Sequence, residues 1–201
     1  AAGNTSTCSF TVTVADQTTP GITCPANIVV CSPGVPTYTA PVGTDNCSGP
    51  TTTQTAGLAS GGAFPVGTTT NVFRVTDGAG NSATCSFTVT VNALPNTFTV
   101  TGGGGYCQTT ETGVLVGLSG SQSGVNYQLL ANTVPTGTPV PGTGAAISFG
   151  SQGTVGAYTV VATNTSTGCS QVMTGSVNVS STTCAPSISD PCSCLNNATT
   201  L

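Results

Sequence analysis

The chain has no tryptophan, no histidine and no lysine, and its 201 residues hold a single cation, Arg74. Those absences exclude whole classes of function. Without a basic stripe there is nothing to displace counterions from nucleic acid, and an anionic membrane surface finds no partner either. A hydrolytic triad lacks its usual base, and the acids Asp16, Asp45, Asp77, Glu111 and Asp190 are scattered along the sequence. The expectation is therefore no enzyme. No apolar run approaches the roughly twenty residues that cross a bilayer, so membrane insertion is not expected. The opening AAGNTSTCSF has neither the basic region nor the apolar core of a secretory signal. An export signal, if there is one, was removed or lies outside this chain.

Charged residues make up 3% of the chain, against roughly a quarter in ordinary globular proteins. A net charge of −4 over this length hydrates a surface thinly, and Thr, Ser, Asn and Gln dominate the non-apolar positions. Such a surface suits a glycan coat or close lateral packing. Sequons stand at Asn4, Asn46, Asn164, Asn178 and Asn197, and O-linked sugars on the Thr and Ser of 51–55, 68–70 and 163–167 fit the low charge better. The ten cysteines come without histidine or zinc-like spacing, which implies disulfides and an oxidising compartment.

Short β-branched runs punctuated by Gly, Pro and Asn predict an all-β chain. In the first half the expected strands are 27–31, 36–40, 50–56, 70–76 and 83–91. In the second they are 97–101, 113–119, 125–131, 145–149, 156–163 and 170–179. Asp77-Gly78-Ala79-Gly80-Asn81 supplies the turn of a hairpin, with Cys85, Phe87, Val89 and Val91 facing inward on its second strand. The Pro- and Gly-rich stretch 133–144 reads as a loop. Gly102–Gly105 resembles a phosphate loop only superficially, since no helix and no Lys follow, and reads as a turning connection.

One strand occurs twice. Residues 3–14 read GNTSTCSFTVTV and residues 80–91 read GNSATCSFTVTV, differing only at Thr5/Ser82 and Ser6/Ala83. The second copy closes a domain whose body lies in the chain, whereas the first has no such body before it.

The motifs Asp16-Gln17-Thr18-Thr19-Pro20, Ile22-Thr23-Cys24-Pro25-Ala26-Asn27-Ile28 and Asp45-Asn46-Cys47-Ser48 resemble those of the hyalin repeat (HYR). Phe64-Pro65-Val66-Gly67-Thr68-Thr69, Thr76-Asp77, Gly80-Asn81 and Cys85-Ser86-Phe87 continue the likeness in order. It covers residues 16–92 and implies an immunoglobulin-like sandwich, used in extracellular adhesion and matrix proteins without catalysis. Further along, GVLVGLSGSQSGVNYQLL (113–130), GAAISFG (144–150) and GAYTVVATNTSTGCSQVMTGSVNV (156–179) resemble repeats of long secreted surface adhesins of Bacteroidetes. PCSCLNNATTL (191–201) resembles the opening of a further module in such proteins.

The domain reading is thus tandem: 1–15, the terminal strand of a preceding or neighbouring HYR-like domain; 16–93, an HYR-like sandwich; 97–180, a second immunoglobulin-like sandwich; and 181–201, a linker and the start of another module. The HYR resemblance implies a Cys24–Cys85 disulfide, which leaves Cys31 with Cys47. Cys107 and Cys169 flank the second domain as its only cysteines. Cys184 is left to Cys192 or Cys194, with one thiol over, here assigned to Cys194. That thiol and Cys8 are candidates for a bond between domains or subunits, or for partners outside this chain.

The copy at Thr7–Val14 carries Phe10, Val12 and Val14 on one face and needs a sheet to join. It finishes a preceding domain of a covalent thread, or it is donated to a neighbour's sheet, a contact that does not close and so builds filaments. The expected partners are copies of the chain or adjacent repeats, together with surface glycans. No cofactor is expected, though Asp16, Asp45, Asp77 and Asn81 offer oxygen ligands that suit calcium; turn and capping roles explain them more simply. The functional expectation is a structural or adhesive extracellular or cell-surface protein. The alternative is a carbohydrate-binding accessory module of a secreted enzyme, disfavoured by 5% aromatics and no Trp but kept open by four Tyr.

Overall fold

A computed structural model describes residues 2–47, 49–108 and 111–184. Among them there is no helix, and none is long and apolar enough to cross a membrane. The chain divides into two compact units, Ala1–Leu94 and Pro95–Leu201. The fold is all-β and immunoglobulin-like.

The first unit holds β1 (Ile28–Cys31), β2 (Thr51–Ala56), β3 (Gly67–Thr76) and β4 (Ser82–Asn92), in the sheet order β1-β4-β3-β2. β4 is central. It runs antiparallel to β3, from Gly67↔Val91 to Thr76↔Ser82, and parallel to β1, from Ile28↔Val89 to Cys31↔Asn92. The period-two pattern puts Phe87, Val89 and Val91 into the core beside Phe64 and Phe73. Tyr38 packs edge-on against Phe87, with ring centroids 4.9 Å apart, and against Phe73 at 6.2 Å. Residues 36–40, expected as a strand, form no ladder. They are tied instead to the 58–61 loop by Tyr38 N–H to Ser60 Oγ, Tyr38 OH to the Leu58 carbonyl and Gly61 N–H to the Pro36 carbonyl.

The second unit holds β5 (Val100–Gly102), β6 (Gly104–Cys107), β7 (Val114–Leu118), β8 (Val125–Ala131), β9 (Val134–Pro141), β10 (Ile147–Gln152), β11 (Gly156–Asn164), β12 (Ser170–Val172) and β13 (Val177–Thr182). One sheet is ordered β10-β7-β5 and the other β6-β13-β11-β8-β9, with β12 also on β11. Their inner faces bury Val116, Leu118, Tyr127, Leu129, Tyr158 and Val160 in one core.

Three expectations are corrected here. The stretch 133–144 is largely strand: Asn132 and Thr133 both take positive φ (48° and 71°) and turn β8 into β9. The prolines of β9 are tolerated because it is an edge. The expected strand 170–179 is broken in two, so that β12 and β13 share one edge of β11 in succession. The glycine run contains β6. Gly103 (φ 74°) passes so near β13 that a Cβ would stand 2.8 Å from the Asn178 carbonyl oxygen, which lets the chain leave β5 for the other sheet.

Candidate functional site

Two features of the first unit carry chemistry. At one end of the sheet, the β3–β4 turn is closed by Asp77 N–H donating to the Asn81 carbonyl at 3.0 Å. Asp77 Oδ1 accepts Ala79 and Asn81 N–H (3.0 and 2.8 Å), and its Oδ2 accepts Asn81 Nδ2 at 2.8 Å. Asn81 Nδ2 also reaches the Asp16 carbonyl at 3.1 Å. Asp77 and Asn81 are thereby engaged with the turn. Asp16, Asp45 and Cys47 gather beside it, one ligand atom of each within 4.8 Å of the others.

Asp16 Oδ1 accepts Thr18 N–H at 2.9 Å, and Asp45 Oδ2 accepts Cys47 N–H at 3.2 Å. The other oxygens, Asp16 Oδ2 and Asp45 Oδ1, are shut from solvent without an N–H or O–H donor. The Asp16 carboxyl is held below its ordinary range, first by the Thr18 N–H and then by the Cys47 thiol. The same contact and the Asp16 charge push the Cys47 thiol up, aided by desolvation and by the charges of Asp45 and Asp77. A protonated thiol is a poor ligand for soft metals. The two carboxylates offer calcium hard oxygen ligands, the rest of its six to eight oxygens being carbonyls and water.

The second feature is the segment before the sheet. Residues 2–15 are exposed and form no ladder, so the expected strand Thr7–Val14 pairs with nothing among the described residues. Phe10, Val12 and Val14 are 86%, 71% and 90% exposed.

The cysteines sort differently from the sequence expectation. Cys24 is bonded to Cys85. Cys107 is bonded to Cys184, where Cys169 was the expected partner. The reason is register: β13 runs parallel to β6 with Thr182 opposite Cys107, so Cys184 emerges beside it, Cα–Cα 5.5 Å. This also removes Cys184 from the pairing expected with Cys192 or Cys194, both of which lie outside the described residues. Cys31 and Cys169 are each disulfide-bonded, Cys169 being fully buried. Cys47, expected to pair with Cys31, is a free exposed thiol, as is Cys8. Cys31 sits opposite Asn92 at the far end of β4, whereas Cys47 lies by the turn that starts it. A strand of this length separates them by about 30 Å.

None of the four tyrosines offers a flat ring to a sugar. Tyr106, Tyr127 and Tyr158 are buried, and Tyr38 is half-buried with its edge against Phe73 and Phe87. Of the sequons, Asn4, Asn46 and Asn178 are exposed, while Asn164 uses its Oδ1 to accept Ser166 and Thr167 N–H. Asn197 lies outside the described residues.

The sheet with β1 parallel to β4, bridged by Cys24–Cys85 and closed by the Asp77–Asn81 turn, has a family counterpart. Residues 15–91 match the HYR domain. An HYR match on a disulfide-bonded scaffold marks an extracellular or cell-surface, adhesion-type domain. No curated protein matches the chain. Among solved structures, the human desmocollin-1 ectodomain is similar at 10% identity and a TM-score of 0.30, over 87% of this chain and 39% of that one. The chain therefore spans well under half of that structure's length, and the likeness is too slight to support any functional reading.

Proposed function

We propose that the chain is a stretch of an extracellular, non-catalytic bacterial surface protein whose immunoglobulin-like modules follow one another in a thread or filament. Strand complementation assembles it, and sugars on the Thr- and Ser-rich surface hydrate it. The observation that carries this reading is the duplicated strand. One copy is the buried centre of the HYR sheet, and the other stands free with Phe10, Val12 and Val14 exposed. An unpaired strand with an apolar face is completed by another module, and head-to-tail completion propagates. Exposed threonines on the edge strand β2, at Thr51, Thr53 and Thr55, give sugars a place to sit, though the Thr53 and Thr55 hydroxyls also donate to β3 carbonyls. Three buried tyrosines and a half-buried Tyr38 give less support to the carbohydrate-binding alternative.

Electron cryo-microscopy of native, unreduced material tests the reading. Regular threads with density on Thr or Ser are expected. Discrete particles with residues 7–14 unpaired would sink it.

A further inference from the structure

Gly3–Val14 and β4 share a sequence but not an environment. In β4, Phe87, Val89 and Val91 are 3%, 0% and 2% exposed. The strand is bonded on both sides, to β3 and to β1, and its Cys85 is bridged to Cys24. In the free segment the counterparts Phe10, Val12 and Val14 are almost fully exposed, and Cys8 is a thiol. The alternation, the aromatic position and the cysteine are all duplicated, so the segment is shaped for the same seat. In residues 15–91 that seat is occupied by β4 itself along its whole length.

We propose that Gly3–Val14 is the closing strand of a second HYR-type domain, one whose own fourth-strand position is open, and that Cys8 seals it there by a disulfide to that domain's counterpart of Cys24. The proposal rests on the tandem-module reading above and names the partner that reading requires. Phe10, Val12 and Val14 enter the acceptor's core, while Thr7, Ser9, Thr11 and Thr13 face outward as Thr84, Ser86, Thr88 and Thr90 do in β4. In the sealing step the two thiols each give up a proton and an electron and join as S–S. The disulfide of a thiol–disulfide oxidoreductase in the oxidising compartment takes up both protons and both electrons and opens to a dithiol.

The test alkylates native, unreduced material with iodoacetamide, digests it with chymotrypsin, which cuts after Phe10, and follows the Cys8 peptide by mass spectrometry. The expected result is a Cys8 peptide without alkyl label, linked to a cysteine of an HYR-type segment outside residues 15–91, and labelled only after reduction. Cys8 recovered already alkylated, or linked to Cys47 or any other cysteine of residues 15–184, overturns the proposal.

A Phe10→Asp chain gives a second arm. Phe10 is 86% exposed, so the variant should unfold as the parent does while losing the Cys8 link and the hydrogen-exchange protection of residues 7–14 in assemblies. Unchanged linkage and protection also overturn the proposal. Threads with an alkylated Cys8 remove this inference and leave the thread reading standing. A correct Cys8 link in material without threads does the reverse.

Discussion

The side-chain oxygen of Asn71 accepts the backbone N–H of Leu58 at 2.8 Å, at a point where Asn71 is fully buried. Gln54 Nε2 donates to the same oxygen at 3.1 Å. Gly57 (φ 90°) lies so close that a Cβ there would stand 2.0 Å from that oxygen. Asn71→Ala strands the Leu58 N–H, and a buried donor without an acceptor costs about 1–3 kcal/mol. Gly57→Ala adds backbone strain to a clash and is expected to destabilise as well. Denaturant unfolding of both variants checks this; an unchanged midpoint for either contradicts the packing described.

Phe87 and Phe10 make a matched pair for mutation. Phe87→Ala empties a core position in contact with Tyr38 and Phe73 and should cost about 3–5 kcal/mol. Phe10→Ala removes a side chain that is 86% exposed and should stay within about 0.5 kcal/mol of the parent. Differential scanning calorimetry of the two single variants reads the contrast.

The Cys107–Cys184 bridge closes a separation of 77 residues. Replacing both cysteines by serine is expected to destabilise the second unit by about 2–5 kcal/mol. Hydrogen exchange along β6 and β13 should rise first, because those are the strands the bridge ties together. Equal loss of protection in the first unit would argue against a local role.

The acidic turn predicts two pH limbs. The folded Asp16 carboxyl lies below its ordinary 3.8, so its contribution is present above that value and is lost as pH falls through the lower folded one. Asp16→Asn should flatten this acid limb. The folded Cys47 thiol lies above its ordinary 9.0. Its contribution is therefore full below that value and is lost as pH rises through the higher folded one, and Cys47→Ser should flatten the alkaline limb. Thermal midpoints across both ranges test the signs, and alkylation of Cys47 should be slower than that of a free cysteine peptide at the same pH.

What the sequence disclosed was what local chemistry decides. The alternation of Phe87, Val89 and Val91, the turn residues Asp77–Asn81 and the duplicated strand are all readable from neighbours in the chain. Decisions made by distant partners were not readable. β9 looked like a loop because its prolines forbid a central strand, and only its place at the sheet edge makes them harmless. Cys107 was expected to join Cys169 because both flank the module, yet the parallel register of β6 with β13 brings Cys184 to it instead. Likewise the acids Asp16 and Asp45 and the thiol Cys47 meet only because the β3–β4 turn and the 44–47 stretch converge at one end of the sheet.

A pull on the first unit meets a sulfur bridge behind its outermost hydrogen bonds. Cys24 stands ahead of β1 and Cys85 lies within β4, so the bridge carries tension across a separation of 61 residues. That length, about 200 Å when drawn straight, is withheld from stretching. The second unit withholds about 260 Å in the same manner behind Cys107–Cys184, a separation of 77 residues. If the bridges are reduced, the load falls on β1 sliding along β4 and on β6 sliding along β13. Parallel neighbours pulled from opposite ends share the force across every rung at once. The oxidation state of these sulfur pairs thus bears on how far each unit can extend.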